Sequence, residues 1–394
     1  MIKNKLSEAP PYSLIDWRNK PFINTSSHLN IGTLFSGIGA IEHAFQRLNL
    51  NHNIIFAGDL DKFVKQSYFA NYGHKLSPED WHSDVNHFKA ERYKGNLDLL
   101  MGGSPCQSFS MVGQRRGFED TRGTLFHEFI RVVNETKPKV FIYENVKGLI
   151  NHDSGKTWSV VKRTFNDLGY KFYPMILNAR DYGIPQNRER VFVVGFLDHS
   201  IDLNVPLKIE CALTMQDLLE DYIDSKYFLK EKGVKFVTSE KNRLKRYTQI
   251  NGKIALCQKA NQQFNWHGDF IYDELVFDVR EVDEKYYLSE KVEQYVLAGG
   301  TKNFKTGIDT DLSIARPLLQ SMHKMHRAGV DNYVTHKGRI RKLTPRECLS
   351  LMGFDYSFKQ VVSDTQMYRQ AGNSIVVNVL IALLKEIDIT RFGR

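Results

Sequence analysis

The run Leu29-Asn-Ile-Gly-Thr-Leu-Phe-Ser-Gly-Ile-Gly-Ala40 passes from a short apolar stretch through paired glycines into residues with helical spacing. It reads as a strand over 29–35, a turn in which Gly37 and Gly39 let backbone approach a ligand, and a helix over 39–48. The alternation then repeats: strand 54–57, helix 61–72, strand 97–101, a long loop 102–122, helix 123–135, strand 140–143, helix 156–168, and strands 172–177 and 190–196. Strands alternating with helices predict an α/β fold with a mostly parallel, Rossmann-like sheet covered on both faces. Such sheets bind ligands outside the carboxyl ends of their strands.

Outward from this block the pattern changes. Residues 1–29 are polar, carry Pro10, Pro11 and Pro21, and read as a loosely ordered N-terminal extension; residues 30–197, which hold the alternating pattern, are expected to form the main domain, the one read below as catalytic. Residues 198–345 mix short apolar runs with Lys/Arg clusters, glycines and aromatics, which predicts a second, smaller irregular domain. Regular spacing returns in 346–394, where Val376, Val377, Val379, Leu380 and Leu383 of a helix-like stretch are expected to pack back on the sheet. The catalytic domain is therefore expected to be discontinuous.

A formal net charge of +9 suits a polyanionic partner such as nucleic acid. No run of eighteen or more apolar residues occurs, and residues 1–20 carry prolines and charges where a signal peptide needs an apolar centre. The expectation is a cytoplasmic protein with no membrane partner. Cys106, Cys211, Cys257 and Cys348 are far apart and form no C-x-x-C pair, which argues against a zinc site or a disulfide framework, and no metal is expected. Only Cys106 lies in a Gly/Pro-rich loop between a strand and a helix, the setting of a nucleophile.

At the glycine turn, Asp59 lies at the end of the second strand, placed to accept hydrogen bonds from ribose hydroxyls. The position where a dinucleotide fold wants its third glycine is Glu42, and an acid beside a pyrophosphate is electrostatically wrong. A nucleoside without phosphates fits better, and S-adenosylmethionine has a ribose, an adenine and a cationic sulfonium. Asp84 suits either the adenine amino group or a helix cap.

In Gly102-Gly-Ser-Pro-Cys-Gln-Ser-Phe-Ser110, Pro105 fixes the backbone before Cys106. A thiol of ordinary pKa, about 8.5, needs nearby positive charge to become a thiolate, and Arg188 and Arg190 are candidates. Glu144, in Tyr143-Glu-Asn-Val146, closes an apolar strand, where partial desolvation suits a carboxyl to proton donation. In Gln186-Asn-Arg-Glu-Arg190 the two arginines are two apart, so a strand would point them the same way, toward a phosphate or a pyrimidine oxygen. Singly, such a Glu is more often a helix cap or salt-bridge partner, and such a pair more often a solvated edge; adjacency to the Cys106 strand is what favours proton donation for Glu144.

The ordered set Phe35-Ser-Gly-Ile-Gly39, Gly103-Ser-Pro-Cys-Gln107, Phe118-Glu-Asp-Thr-Arg-Gly123, Glu144-Asn-Val146, Gln186-x-Arg188-x-Arg190, Arg341-Lys-Leu-Thr-Pro-Arg-Glu347 and Gly372-Asn-Ser374 resembles the bacterial cytosine-C5 DNA methyltransferases of restriction-modification systems. It covers roughly residues 30–197 and 341–390. The resemblance implies an S-adenosylmethionine-dependent methyltransferase sheet with a target-recognition domain over 198–345, acting as a monomer on double-stranded DNA, with a cognate restriction endonuclease acting separately. It implies that Cys106 attacks C6 of a flipped cytosine, Glu144 stabilises protonation at N3, Arg190 contacts O2 and Arg188 positions the catalytic loop. Phe35, Gly37, Gly39, Asp59, Asp84, Asn373 and Ser374 match cofactor-site positions; Gln107, Ser110, Arg122 and Gln186 match DNA contacts. Thr33 stands where some relatives have an acid and Leu60 where many have an aromatic, so cofactor stacking falls to Phe35.

Rival readings are a tRNA cytosine methyltransferase, a DNA-binding homologue without chemistry, and an NAD-dependent oxidoreductase. The first usually carries a Cys-Phe-Thr tripeptide, which is absent; the second is expected to lose Cys106 or Glu144; the third conflicts with Glu42.

Overall fold

The computed structural model describes residues 13–105, 125–220, 229, 231–245, 248–250, 264–266, 268–270, 312–319, 326–327, 333–336 and 339–394. Two compact units divide the chain: Met1–Asn178 with Glu189–Lys208 and Val379–Arg394, and Ala179–Arg188 with Ile209–Asn378. The stretch 346–394, expected to return as one piece, is shared between them at residue 379.

The first unit is built on β1 (His28–Leu34), β2 (Asn51–Phe56), β3 (Leu99–Gly102), β4 (Val140–Val146), β5 (Lys171–Asn178) and β6 (Glu189–Phe196), in the order β2-β1-β3-β4-β6-β5. The first four run parallel, as expected. β6 is antiparallel to both of its neighbours. Only residues 179–188 separate β5 from β6, too few for the crossover that a parallel return requires. The reversal has a functional consequence: the start of β6 lies at the edge where β4 ends, with Arg190 paired to Val146.

Helices α1 (Ala40–Arg47), α2 (Lys62–Tyr72), α3 (Leu125–Thr136) and α4 (Lys156–Asp167) follow the predicted spacing closely. On α3, Phe126, Phe129, Val132, Val133 and Thr136 form one buried face. They join Trp158, Val161 and Phe165 of α4 and Leu100, Phe141, Tyr143, Val191 and Val193 of the sheet in a core whose aromatic rings meet mostly edge-on or tilted. Each such fully buried aromatic contributes about 2–3 kcal/mol by removal from water. Side chains on the opposite face of the sheet are buried too, Phe196 against Phe392.

Residues 13–29 are not the loose extension that their composition suggested. Trp17 is buried, Lys20 Nζ pairs with Glu386 Oε1 at 2.6 Å, and Lys385 Nζ lies 4.8 Å from the Phe22 ring and donates to the Lys20 carbonyl at 2.8 Å. His28 exchanges both backbone hydrogen bonds with Arg394, at 2.9 and 3.0 Å. These partners lie more than 350 residues away, where no local pattern reveals them.

Described regular structure in the second unit comprises short strand pairs and the helices Glu231–Val237, Glu240–Leu244, α5 (Pro345–Leu351) and α6 (Asp364–Asn373). Pro345 opens α5, and Thr344 and Glu347 form a reciprocal cap at its first turn. Ser374 is extended, so the last helix, α7 (Val377–Ile387), starts later than its apolar pattern suggested. Taken together, Asp364–Ile387 is long and apolar enough to cross a membrane, but it is mostly buried within the protein, as a core element is.

Candidate active site

In the first unit, the turn after β1 is held by acids. Phe35 adopts a left-handed backbone (φ 52°), uncommon for a bulky residue. At Gly39 (φ 79°) a Cβ would fall 2.2 Å from the Tyr72 ring, so only glycine fits. The Gly37 amide donates to Asp59 Oδ2 at 3.1 Å, and Asp59 Oδ1 accepts from the Asp61 amide at 3.0 Å. Beneath the turn, fully buried Glu42 accepts at Oε1 from Thr33 Oγ1 (3.1 Å) and Tyr68 Oη (2.6 Å). Burial pushes the Glu42 carboxyl up to about 7, against the opposing effect of those hydrogen bonds.

Ala57 bridges Trp81, which brings 81–84 beside the Asp59 stretch. Asp84 caps the turn Val85–His87, accepting from the Asn86 amide at 3.0 Å, and its Oδ2 lies 3.0 Å from His87 Nδ1. Of the two uses foreseen for it, the cap is the one that these contacts show. Phe35 packs half-buried on the aromatic core and Leu60 is 79% exposed. A glycine turn whose amide is held by the Asp59 carboxylate suits a cationic nucleoside and disfavours a diphosphate. The residues present fit S-adenosylmethionine.

At the other end of the sheet edge, β3 leads into Gly103-Ser104-Pro105. Ser104 Oγ lies 2.7 Å from Tyr143 Oη, and Asn145 Nδ2 donates to the Ser104 carbonyl (2.9 Å) and to Tyr143 Oη (2.8 Å). This buried triad, which sequence reading did not single out, fixes the backbone that precedes Cys106. A Cβ on Gly103 would fall 2.8 Å from Glu144 Oε2, so the loop passes directly over the carboxylate. Glu144 pairs with Phe192, which makes Arg190, two residues earlier on β6, its diagonal neighbour on the same face. Arg190 Nε reaches Glu144 Oε1 at 3.2 Å, with both side chains largely shielded. Cys106, Gln107, Ser110 and Arg122, and the loop 108–122, lie outside the described residues.

Arg188 and Arg190 do not point to one target. Arg188 precedes β6, where strand alternation does not yet apply, and belongs to the second unit. It is buried and donates to the carbonyls of Leu318 (2.9 Å), Gly372 (3.1 Å) and Ser374 (2.8 Å). Gln186, expected to touch DNA, has no exposed surface: its amide donates to the Leu351 carbonyl at 2.7 Å and accepts from the Leu318 amide at 3.1 Å. The motif Gly372-Asn-Ser374 ends α6, with Asn373 exposed and Ser374 buried. Arg316, beside Leu318 in sequence, is a fully buried arginine that no local pattern marked.

A six-stranded sheet with this order and an acid-backed glycine turn is the α/β fold of S-adenosylmethionine-dependent methyltransferases. Residues 29–388 match the C-5 cytosine-specific DNA methylase family. Among similar proteins, the Type II methyltransferase M.NlaX of Neisseria lactamica is 34% identical over 90% of this chain and 94% of its own. The Type II methyltransferase M.HhaI of Haemophilus parahaemolyticus is 32% identical over 88% of this chain and 90% of its own. The fold also resembles the crystal structure of the S. pombe Dnmt2 methyltransferase, with a TM-score of 0.62 at 20% identity over 91% of this chain and 97% of that one. The chain belongs to the C-5 cytosine-specific DNA methylase family. It is a DNA (cytosine-5-)-methyltransferase that uses S-adenosylmethionine as methyl donor and DNA as substrate.

Proposed function

We propose that methylation proceeds through a covalent bond between Cys106 and C6 of a cytosine turned out of the duplex. The supporting observation is the Glu144–Arg190 pair on the face over which the Gly103-Ser-Pro loop runs into Cys106. As the Cys106 thiolate forms the S–C6 bond, ring electrons move to N3, where Glu144 delivers a proton, and Arg190 faces the O2 carbonyl. C5 of the resulting enamine is nucleophilic. Phe35, Gly37, Gly39, Asp59 and Asp84 would hold S-adenosylmethionine, which would supply a methyl group activated by its sulfonium. A base then removes the C5 proton, the S–C6 bond breaks to return Cys106, and the N3 proton goes back to Glu144.

In this reading residues 198–345 recognise the target sequence, and Gln107, Ser110 and Arg122 meet the DNA. The protein works as a cytoplasmic monomer, protecting DNA from a cognate restriction endonuclease; the Type II names of its relatives support that role. The test is a duplex carrying 5-fluorocytosine at the target, identified by sequencing methylated positions in DNA from cells expressing this protein alone. Fluorine cannot leave as a proton does, so wild-type protein with S-adenosylmethionine should remain bonded to DNA in denaturant. Cys106→Ala should give no adduct while still folding and binding DNA. Methylation by folded Cys106→Ala would remove this nucleophile from the mechanism.

A further inference from the structure

We propose that Glu42 is a positioning residue for the cofactor: its buried carboxyl anchors, through Thr33 and Ser36, both the strained Phe35–Gly39 turn and the Gly58-Asp59 stretch. This role presupposes that Phe35, Gly37 and Asp59 hold S-adenosylmethionine.

Counting protons gives the chain its direction. Thr33 donates its hydroxyl proton to Glu42 Oε1. The 2.7 Å contact between Thr33 Oγ1 and Ser36 Oγ must then use the Ser36 proton. Ser36 Oγ in turn accepts from the Gly58 amide at 2.9 Å, while the Ser36 amide donates to the Gly58 carbonyl at 2.9 Å. The Gly58 amide and the two hydroxyls therefore donate in sequence toward Glu42 Oε1, which also takes the Tyr68 hydroxyl from α2. Without Thr33 Oγ1, the Ser36 hydroxyl keeps only the Thr33 carbonyl, at 3.2 Å.

The chain ends at the residues expected to meet the cofactor. Ser36 lies between Phe35, whose left-handed backbone must be held by its surroundings, and Gly37, whose amide orients Asp59. Glu42 Oε2 is buried and has no hydrogen-bond partner among the described residues. A carboxyl so placed is a poor device for general stability, since a well-packed apolar side chain would serve better. Its use lies in Oε1, as the terminal acceptor that gives Ser36 one orientation.

The test is calorimetric titration of S-adenosylmethionine without DNA, beside kcat and KM for the cofactor on one duplex. Thr33→Val keeps the shape and removes the hydroxyl. It should raise Kd about tenfold, the worth of one buried hydrogen bond, and raise KM with kcat kept within about twofold. Thr33→Ser, which restores the hydroxyl, and Glu42→Gln, which keeps the Oε1 acceptor, should bind within about threefold of wild type. If Thr33→Val does not fold by circular dichroism, Tyr68→Phe probes the same carboxyl from α2 and should also weaken binding. Wild-type affinity in Thr33→Val, or equal loss in Thr33→Ser, would overturn the proposal. Asp59→Ala separates the layers: if it alone weakens binding, the cofactor site stands and the Glu42 role falls, whereas unaltered binding in Asp59→Ala refutes the cofactor site itself.

Discussion

The guanidinium of Arg188 and the backbone carbonyl of Ser374 are 186 positions apart in sequence and 2.8 Å apart in the fold. With the carbonyls of Leu318 and Gly372, that contact makes Arg188 a buried staple joining three segments of the second unit. The planar fork of an arginine holds donors in fixed directions for several carbonyls, where a lysine offers a single point charge on a flexible stem. Truncation to Ala should therefore strand buried acceptors and cost about 3–5 kcal/mol, with Lys recovering less than half. Urea unfolding measures this, and a loss below about 0.5 kcal/mol, the usual range for surface substitutions, would show that Arg188 is not a staple.

Glu144 and Arg190 touch each other, so their contributions to methyl transfer should not add. Each of Glu144→Gln and Arg190→Ala should lower kcat/KM about 100-fold or more, the scale of a positioned proton donor. The double variant should be hardly worse than the poorer single one. Losses that multiply across the pair would mean that the 3.2 Å contact has no part in catalysis.

Glu42 makes stability depend on pH in a direction that can be worked out. Its carboxyl rises from an ordinary 4.5 to about 7 because burial disfavours the anion. The folded protein thus keeps a proton that the unfolded chain releases, and this contribution is complete below pH 4.5 and lost as pH climbs to about 7. The loss is on the order of 3 kcal/mol. His52 and His82, both held near 4 mainly by burial, act oppositely, losing stability as pH falls from 6.5 toward 4, so wild-type curves alone mix the effects. The difference between wild type and Glu42→Gln isolates the carboxyl: it should change between pH 4.5 and 7 and level off above. A constant difference over that window would show that Glu42 does not titrate there.

Much of this was legible in advance, for identifiable reasons. The strands and helices of the first unit announce themselves because burial on both faces of a sheet demands continuous apolar runs, and α3 shows its buried face at helical spacing. The antiparallel place of β6 was not legible, because pairing partners are absent from a local pattern. Gln186 and Arg188 looked outward-facing because polar residues beside a strand usually are. Their partners, Leu318, Leu351, Gly372 and Ser374, lie 130 to 186 positions away. Glu42 was noticed only for the ligand it excludes; its hydrogen bond to Tyr68 spans 26 residues and one intervening strand.

The backbone exchange between His28 and Arg394 also sets an order of events during synthesis. β1 is made before the other strands of its sheet, yet its opening residue finds these partners only when residue 394 follows. Residues 209–378, the larger piece of the second unit, are all made in between. Nascent chains generally fold unit by unit as they emerge, but here the unit that holds β1 is completed only after residues 209–378 have been made. Until then Phe196 lacks the Phe392 ring that stacks on it, so apolar surface that the finished fold buries stays in water during synthesis.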